Sequence, residues 1–331
     1  MEILKNTHKQ KPYQSKIFNE YFEGLNIAFY DIETTGLNPL FSKFILGGIL
    51  VFKDDEALIY QYFADNEKEE KELLEKYCSV LAKADVLISY NGNGFDLPFL
   101  KQRIKRYNLN IDLGLSQSFD LYRVLNLYSN FREILPDLKQ KTVEKFLGLD
   151  SSRYDKISGY DSVELYKEYC KNPSIELRNK ILLHNHDDLL QLSNIIQILG
   201  KLDLHKILHN EGFTVAHGEK RVFIKQISLL KNHISAKAIT KNIPLDYHSF
   251  EIGYQAVHLR DSNTLTLEVP ILSKQDIIYI DLENLTMDYS CLHRFPSCIN
   301  DYLIIKKDNE IKYAEINSVL RVIINQIMGY F

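Results

Sequence analysis

The chain has 331 residues, of which 45% are hydrophobic and 11% aromatic, and it carries a formal net charge of −4 at neutral pH. That is enough apolar material for two packed cores, and the charge excludes a globally basic protein, so any nucleic-acid role must rest on local patches. Four cysteines (Cys78, Cys170, Cys291, Cys298) without a Cys-x-x-Cys pair give neither a zinc knuckle nor a disulfide framework.

Residues 1–24 read as a polar N-terminal extension without the apolar core of a signal peptide, with "IFNEYF" as a short docking helix. Asn26 to Tyr30 is an apolar run ending on Asp31 and Glu33. A strand repeats every two residues, so Asp31-x-Glu33 places both carboxylates on one face, where a divalent cation would relieve their repulsion. Read alone, the pair is as compatible with an idle, solvated strand end. Thr34, Thr35, Gly36 and Asn38-Pro39 form a turn, "FSKFILGGILVF" a second strand and "EALIYQYF" a third. Asn66 to Ala84 is an amphipathic helix capped by Asn66, and "DVLISY" is a strand buried on both faces. Tyr90-Asn91-Gly92 is then a turn, and Phe95-Asp96 opens a helix. Asp96 is either a third metal-facing carboxylate, with Asn91 as a nearby polar contact, or only a helix cap.

Further apolar-periodic stretches follow Asp120, Gln140 and Asp155. Ser174 to Gly200 is a long helix with a polar cluster in its middle, His184-Asn185-His186-Asp187-Asp188. His184 and Asp188 are four apart and share a face, and such a pair on an apolar helix calls for a partner such as a metal. His186 and Asp187 are read as facing water.

These three stretches, "YDIETTGL", "SYNGNGFDLPFLKQR" and "HNHDDLLQL", together resemble the three motifs of the DEDD 3′–5′ exonucleases, and within them the YprB-like branch. "DLYRVL", "KTVEKFLGL" and "ISGYDSVELY" add to the resemblance, which spans roughly residues 25–200. It implies an RNase H-like mixed α/β sheet flanked by helices over residues 25–203. It implies Asp31, Glu33, Asp96 and Asp188 as ligands of two Mg2+ or Mn2+ ions, Asp31 bridging them. It also implies that His184, as a neutral imidazole, orients or deprotonates the attacking water. Proofreading members carry Tyr at the His184 spacing and others carry His one residue earlier, which is a departure. Thr34, Thr35, Leu37, Asn91 and Phe95 are the implied substrate contacts.

Residues 204–331 alternate apolar and polar residues between turns and close on an amphipathic helix from Ala314 to Phe331. They read as a smaller β-rich (α+β) domain that extends the substrate path or holds a protein partner. Asp281 and Glu283 mimic the first motif but no second or third motif follows them, and the seven histidines of this region read as scattered surface residues. The expected function is a metal-dependent 3′–5′ exonuclease on single-stranded or frayed DNA or RNA ends, in the cytoplasm and without a membrane span. The alternatives are a structure-specific endonuclease on the same fold and a non-catalytic nucleic-acid or partner-binding module.

Overall fold

The alternation of residues 27–63 folds into a three-stranded meander. The computed structural model, which describes residues 1–149, 152–155 and 157–331, places it inside a six-stranded sheet. In chain order the first elements are β1 (Glu2–Lys9), α1 (Lys16–Phe22), β2 (Ile27–Thr34), β3 (Phe44–Lys53), β4 (Glu56–Phe63), α2 (Glu70–Leu81) and β5 (Val86–Ser89). They are followed by α3 (Asp96–Arg106), β6 (Gln117–Asp120), α4 (Leu121–Tyr128), α5 (Phe131–Ile134), α6 (Gln140–Phe146), α7 (Gly159–Lys171) and α8 (Ile175–Ile195). The sheet order is β1-β4-β3-β2-β5-β6. Strands β1 to β4 pair antiparallel, while β2, β5 and β6 run parallel. This is the mixed α/β sheet expected for an RNase H-like fold. Residues 1–16 and 25–202 form one unit, and residues 17–24 and 203–331 a second.

The N-terminus differs from its expected role as an extension. Glu2 to Lys9 lies in register against Phe63 to Glu56 as the edge strand of the sheet. Its outward face is polar and carries lysines, which discourages further edge pairing and hides the strand from a reading based on apolar alternation.

Each face of the sheet is covered by helices. Leu73, Leu74 and Tyr77 of α2 and Leu97 and Leu100 of α3 pack on one side, and Tyr166, Tyr169, Ile181 and Leu182 of α7 and α8 on the other. Two adjacent glycines in β3 make this close approach possible. A Cβ on Gly47 would lie 2.5 Å from the Tyr77 ring, and one on Gly48 would lie 2.3 Å from Asn185 Oδ1 and 2.5 Å from Leu189 Cδ1. Gly48 therefore sets how near α8 comes to the sheet.

A buried ion pair anchors the turn after β2. Arg103 donates to both carboxylate oxygens of Glu70 at 2.7 and 2.5 Å, and Glu70 also accepts from the Phe44 amide at 2.9 Å. The same guanidinium donates to the Pro39 carbonyl at 2.9 Å, and Arg106 to that of Leu40 at 2.7 Å.

The second unit contains α1, α9 (Leu204–Glu211), β7 (Thr214–His217), β8 (Lys220–Leu229), β9 (His233–Lys241), β10 (Tyr247–Phe250), β11 (Gln255–Leu259) and β12 (Thr264–Pro270). After them come β13 (Leu272–Lys274), β14 (Ile277–Asp281), β15 (Cys298–Ile299), β16 (Tyr302–Lys307), β17 (Glu310–Ile311) and α10 (Tyr313–Gly329). Strands β7 to β12 form one antiparallel sheet and β13 to β17 another, which agrees with a β-rich region. Helix α10 buries Ile316, Val319, Leu320, Ile323, Ile324 and Ile327. Its Asn317 is fully buried and fully used. The amide donates to the Tyr21 hydroxyl and the His205 carbonyl at 3.0 Å each, and Asn317 Oδ1 lies 3.2 Å from His209 Nδ1. The segment "IFNEYF" is thus the helix foreseen, and it belongs to the C-terminal unit. His209 and His258 are buried, contrary to the surface reading, and His258 is held by Thr240 and the Leu245 carbonyl. Asp281 accepts from the Glu283 amide as the cap of a 3₁₀ turn.

Candidate metal centre

Strand β2 delivers its acids by alternation. Asp31 and Glu33 both line one cavity of about 740 Å3, together with His184 and Asp188 from α8. Ligand atoms of Glu33, His184 and Asp188 all lie within 4.8 Å of one another. Asp96, the first residue of α3, is buried and does not line the cavity. Its Oδ1 accepts from the Ile32 amide at 3.2 Å, which ties α3 to the strand between the two β2 acids.

The loop before α7 supplies residues that the sequence pattern did not single out. Asp155 Oδ2 lies 2.7 Å from His184 Nδ1 and also accepts from Arg153 at 3.0 Å and Lys141 at 3.1 Å. Arg153 donates to both oxygens of Glu144 at 2.8 Å each and to Asp188 Oδ1. Asp187 fixes this loop, because its Oδ2 accepts from the amides of Tyr154 and Asp155 at 2.7 and 2.8 Å. That corrects the reading of Asp187 as water-facing. His186 is corrected too, being part-buried with its Nε2 2.8 Å from that of His8 on β1. Gln140 at the start of α6 donates to the Asp188 carbonyl at 2.9 Å. On the sheet side, Asn185 donates to Asp31 Oδ2 at 2.8 Å and accepts from Gln61 at 3.0 Å. Lys141 and Asp155 lie in the stretches read as short helices from Gln140 and Asp155, as polar positions that no motif marks, and Arg153 lies between those stretches. Only the adjacency of Asn185 to His184 could have pointed to it.

Of the expected substrate contacts, Thr34, Thr35, Leu37 and Phe95 line the cavity. The Thr34 hydroxyl donates to the Gly36 carbonyl, and that of Thr35 accepts from the Lys43 amide, so both also shape the turn. Asn91 stands outside the cavity. It adopts a left-handed backbone with φ of 65°, and its amide donates to Asp120 at 2.8 Å, so it is a turn residue.

The electrostatics follow from gathering four acids, Glu33 and Asp96 buried and Asp31 and Asp188 partly exposed. Burial, with the charges of Asp188 and Asp96, pushes the Asp31 carboxyl well above its usual range. Burial raises Glu33 to about 8 even though His184 pulls the other way. It raises Asp96 to about 7 against the backbone amides that favour the ionised form. Burial alone would lower His184. The Asp155 hydrogen bond and the charges of Asp188 and Glu33 overcome it and raise the imidazole to about 9. These neighbours favour the protonated imidazole while no cation is bound, with Nε2 3.6 Å from both Glu33 and Asp188; a dication among the same acids would offset their charge and favour the neutral ring. The upward shifts of Asp31, Glu33, Asp96 and His184 all favour proton binding, which offsets the crowded negative charge as a dication would. Carboxylate oxygens beside one imidazole suit a divalent metal ion.

The sheet and helices that carry this cluster match the profile of the RNase_H superfamily over residues 28–200, more than half of the chain, and the chain belongs to that superfamily. It is 29% identical over 220 residues to the uncharacterized protein YprB of Bacillus subtilis, covering 62% of this chain and 51% of YprB. A 47-residue stretch, 14% of this chain, is 49% identical to 3% of a DNA polymerase of Methanocaldococcus jannaschii. The family B DNA polymerase structure from Pyrobaculum calidifontis is 20% identical with a TM-score of 0.43, covering 53% of this chain and 24% of that one. The chain thus spans about half of YprB and a small part of either polymerase. Among the described residues, no helix is long and apolar enough to cross a membrane.

Proposed function

We propose that the chain is a divalent-metal-dependent 3′–5′ exonuclease that hydrolyses phosphodiester bonds in single-stranded or frayed nucleic acid. The observation that carries this reading is the convergence of Asp31, Glu33, His184 and Asp188 on one cavity, with Asp96 buried near enough for its charge to act on Asp31. A pair of magnesium or manganese ions, held by Asp31, Glu33, Asp96 and Asp188, would supply an activated water and stabilise the leaving oxygen.

The remaining roles belong to this chain's own side chains. Asp155 fixes the Nδ1–H of His184, which leaves Nε2 as the atom that takes the proton of the attacking water. The negative charge of Asp155 then stabilises the imidazolium that forms. Arg153 and Gln140 hold Asp188 from its side chain and its carbonyl, so that its second carboxylate oxygen stays on the His184 side. Leu37 and Phe95 offer apolar walls to the terminal nucleotide.

The test uses DNA and RNA of one sequence, labelled at either end, together with a circular single strand, with Mn2+ or Mg2+ and with chelator. The reading expects stepwise shortening from the 3′ end, an intact circle, no cleavage in chelator and none by Asp31→Ala. Cleavage of the circle would make the site an endonuclease, and undiminished cleavage in excess chelator would remove the metal from the account.

A further inference from the structure

The cavity has a second wall, opposite in character to the acids. It is built from the start of α6 and from α7, and its side chains include Lys139, Tyr160 and Lys167 with one carboxylate, Glu164, among them. Tyr160 is 74% exposed although it is a large aromatic. Its backbone is fixed, because Ser158 and Asp161 form a reciprocal capping box around it. An exposed tyrosine is ordinary on any surface. This one lines the same cavity as Asp31, Glu33 and Asp188, where a substrate of the proposed reaction would lie.

The lysines beside it are of two kinds. Lys141 is structural, committed to Asp155 and the Ile157 carbonyl. Lys139 is 82% exposed and its ammonium lies 3.7 Å from Asp137, and Lys167 pairs with Glu164 in a half-exposed contact on its own helix. Exposed pairs of this kind hold their partners weakly, so both ammonium groups can turn to a phosphate. An aromatic face flanked by mobile cations is the arrangement by which proteins hold unpaired strands, bases stacking on the ring and phosphates following the charge.

We propose that Tyr160, Lys139 and Lys167 form the strand-holding wall of this site. The occupant is an unpaired segment of nucleic acid with one base stacked on Tyr160 and its flanking phosphates at the two lysines. A duplex offers a free base face only at its terminal pair and keeps its other bases stacked, whereas any base of an unpaired strand can turn onto the ring, so the wall favours single strands without reading their sequence. This inference rests on the nuclease reading of the acids, and its test is kept separate by measuring binding without turnover.

Fluorescence anisotropy of a labelled thymidine dodecamer, with chelator present, reads the wall directly. Tyr160→Ala should weaken binding roughly 5- to 150-fold, while Tyr160→Phe, which keeps the ring, should stay within about twofold of wild type. Lys139→Ala combined with Lys167→Ala should reduce the slope of log affinity against log salt by about 1.4, from roughly 0.7 per phosphate contact on a single strand. A blunt hairpin duplex should bind more weakly than the dodecamer. The proposal is overturned if wild type does not bind the dodecamer, if Tyr160→Ala binds as well as wild type, if Tyr160→Phe falls as far as Tyr160→Ala, or if the duplex binds equally. If this binding pattern holds but no strand is ever cleaved, the wall stands and the exonuclease reading fails.

Discussion

At the scale of single residues, the site gathers four acids with one imidazole, and the titration of Glu33, Asp96 and His184 has a definite sign. Glu33 and Asp96 titrate at about 8 and about 7, well above their unfolded values near 4. An acid raised in the folded state favours the fold at low pH, and that advantage disappears as pH rises through the folded value. His184, raised to about 9, adds stability that is complete below its unfolded value near 6.5 and is lost as pH rises through 9. Both effects run the same way. In chelator, the melting temperature should fall between roughly pH 5 and pH 9, whereas saturating Mg2+ should abolish the fall. Asp31→Asn should flatten it by removing one of the repelling charges. Thermal melts across that range would contradict the account if the chelated protein showed no decline. His184→Ala should slow strand cleavage by roughly 10²- to 10⁴-fold, the usual contribution of a general base. A variant as fast as wild type in single-turnover assays would reduce His184 to a packing residue.

At the scale of elements, the site depends on how closely α8 lies on β3 and on how the turn after β2 is held. Gly48→Ala would drive a Cβ into Asn185 and Leu189, displacing the helix that carries His184 and Asp188. A loss of about 1–3 kcal/mol is expected from such overpacking, together with loss of the metal-induced rise in melting temperature. Arg103→Ala leaves Glu70 buried without its guanidinium and should cost about 3–5 kcal/mol in chemical denaturation. Adding Glu70→Leu to Arg103→Met should recover most of that, since a buried ion pair and an apolar pair of similar volume are often of similar stability. The helices around these features were legible by their apolar period, and the central strands β3 and β5 as short continuous apolar runs buried on both faces. The motif acids were legible because Asp31-x-Glu33 and His184-x-x-x-Asp188 follow the periods of the elements that carry them. What stayed hidden has no period. Arg153 and Asp155 lie in an irregular loop and reach His184 and Asp188 through tertiary contacts. β1 is a polar edge strand whose partner lies some fifty residues away. The protonation of His184 depends on Asp155, which the sequence did not place beside it.

At the scale of the whole molecule, the chain divides into two compact units, and the N-terminal segment contributes residues 1–16 to the first and 17–24 to the second. Phe18, Tyr21 and Phe22 of α1 are buried in the C-terminal unit, so a chain cut near residue 204 would leave that helix without its partners. A single substitution is therefore the cleaner probe. Asn317→Ala leaves Tyr21, His205 and His209 without a shared partner and should destabilise the C-terminal unit by about 1–3 kcal/mol. The metal-induced rise in melting of the first unit should persist in that variant, and its disappearance would show the two cores to be energetically coupled. The central claim is that Asp31, Glu33, Asp96 and Asp188 gather divalent ions, and titration of Mn2+ followed by electron paramagnetic resonance tests it most directly. The account predicts saturable binding that strengthens as pH rises from about 6 to about 8, because ions must displace protons from the acids, and that is lost in Asp31→Ala and weakened in Asp188→Ala. Binding that is unchanged in both variants, or no binding by wild type at pH 8, would contradict it.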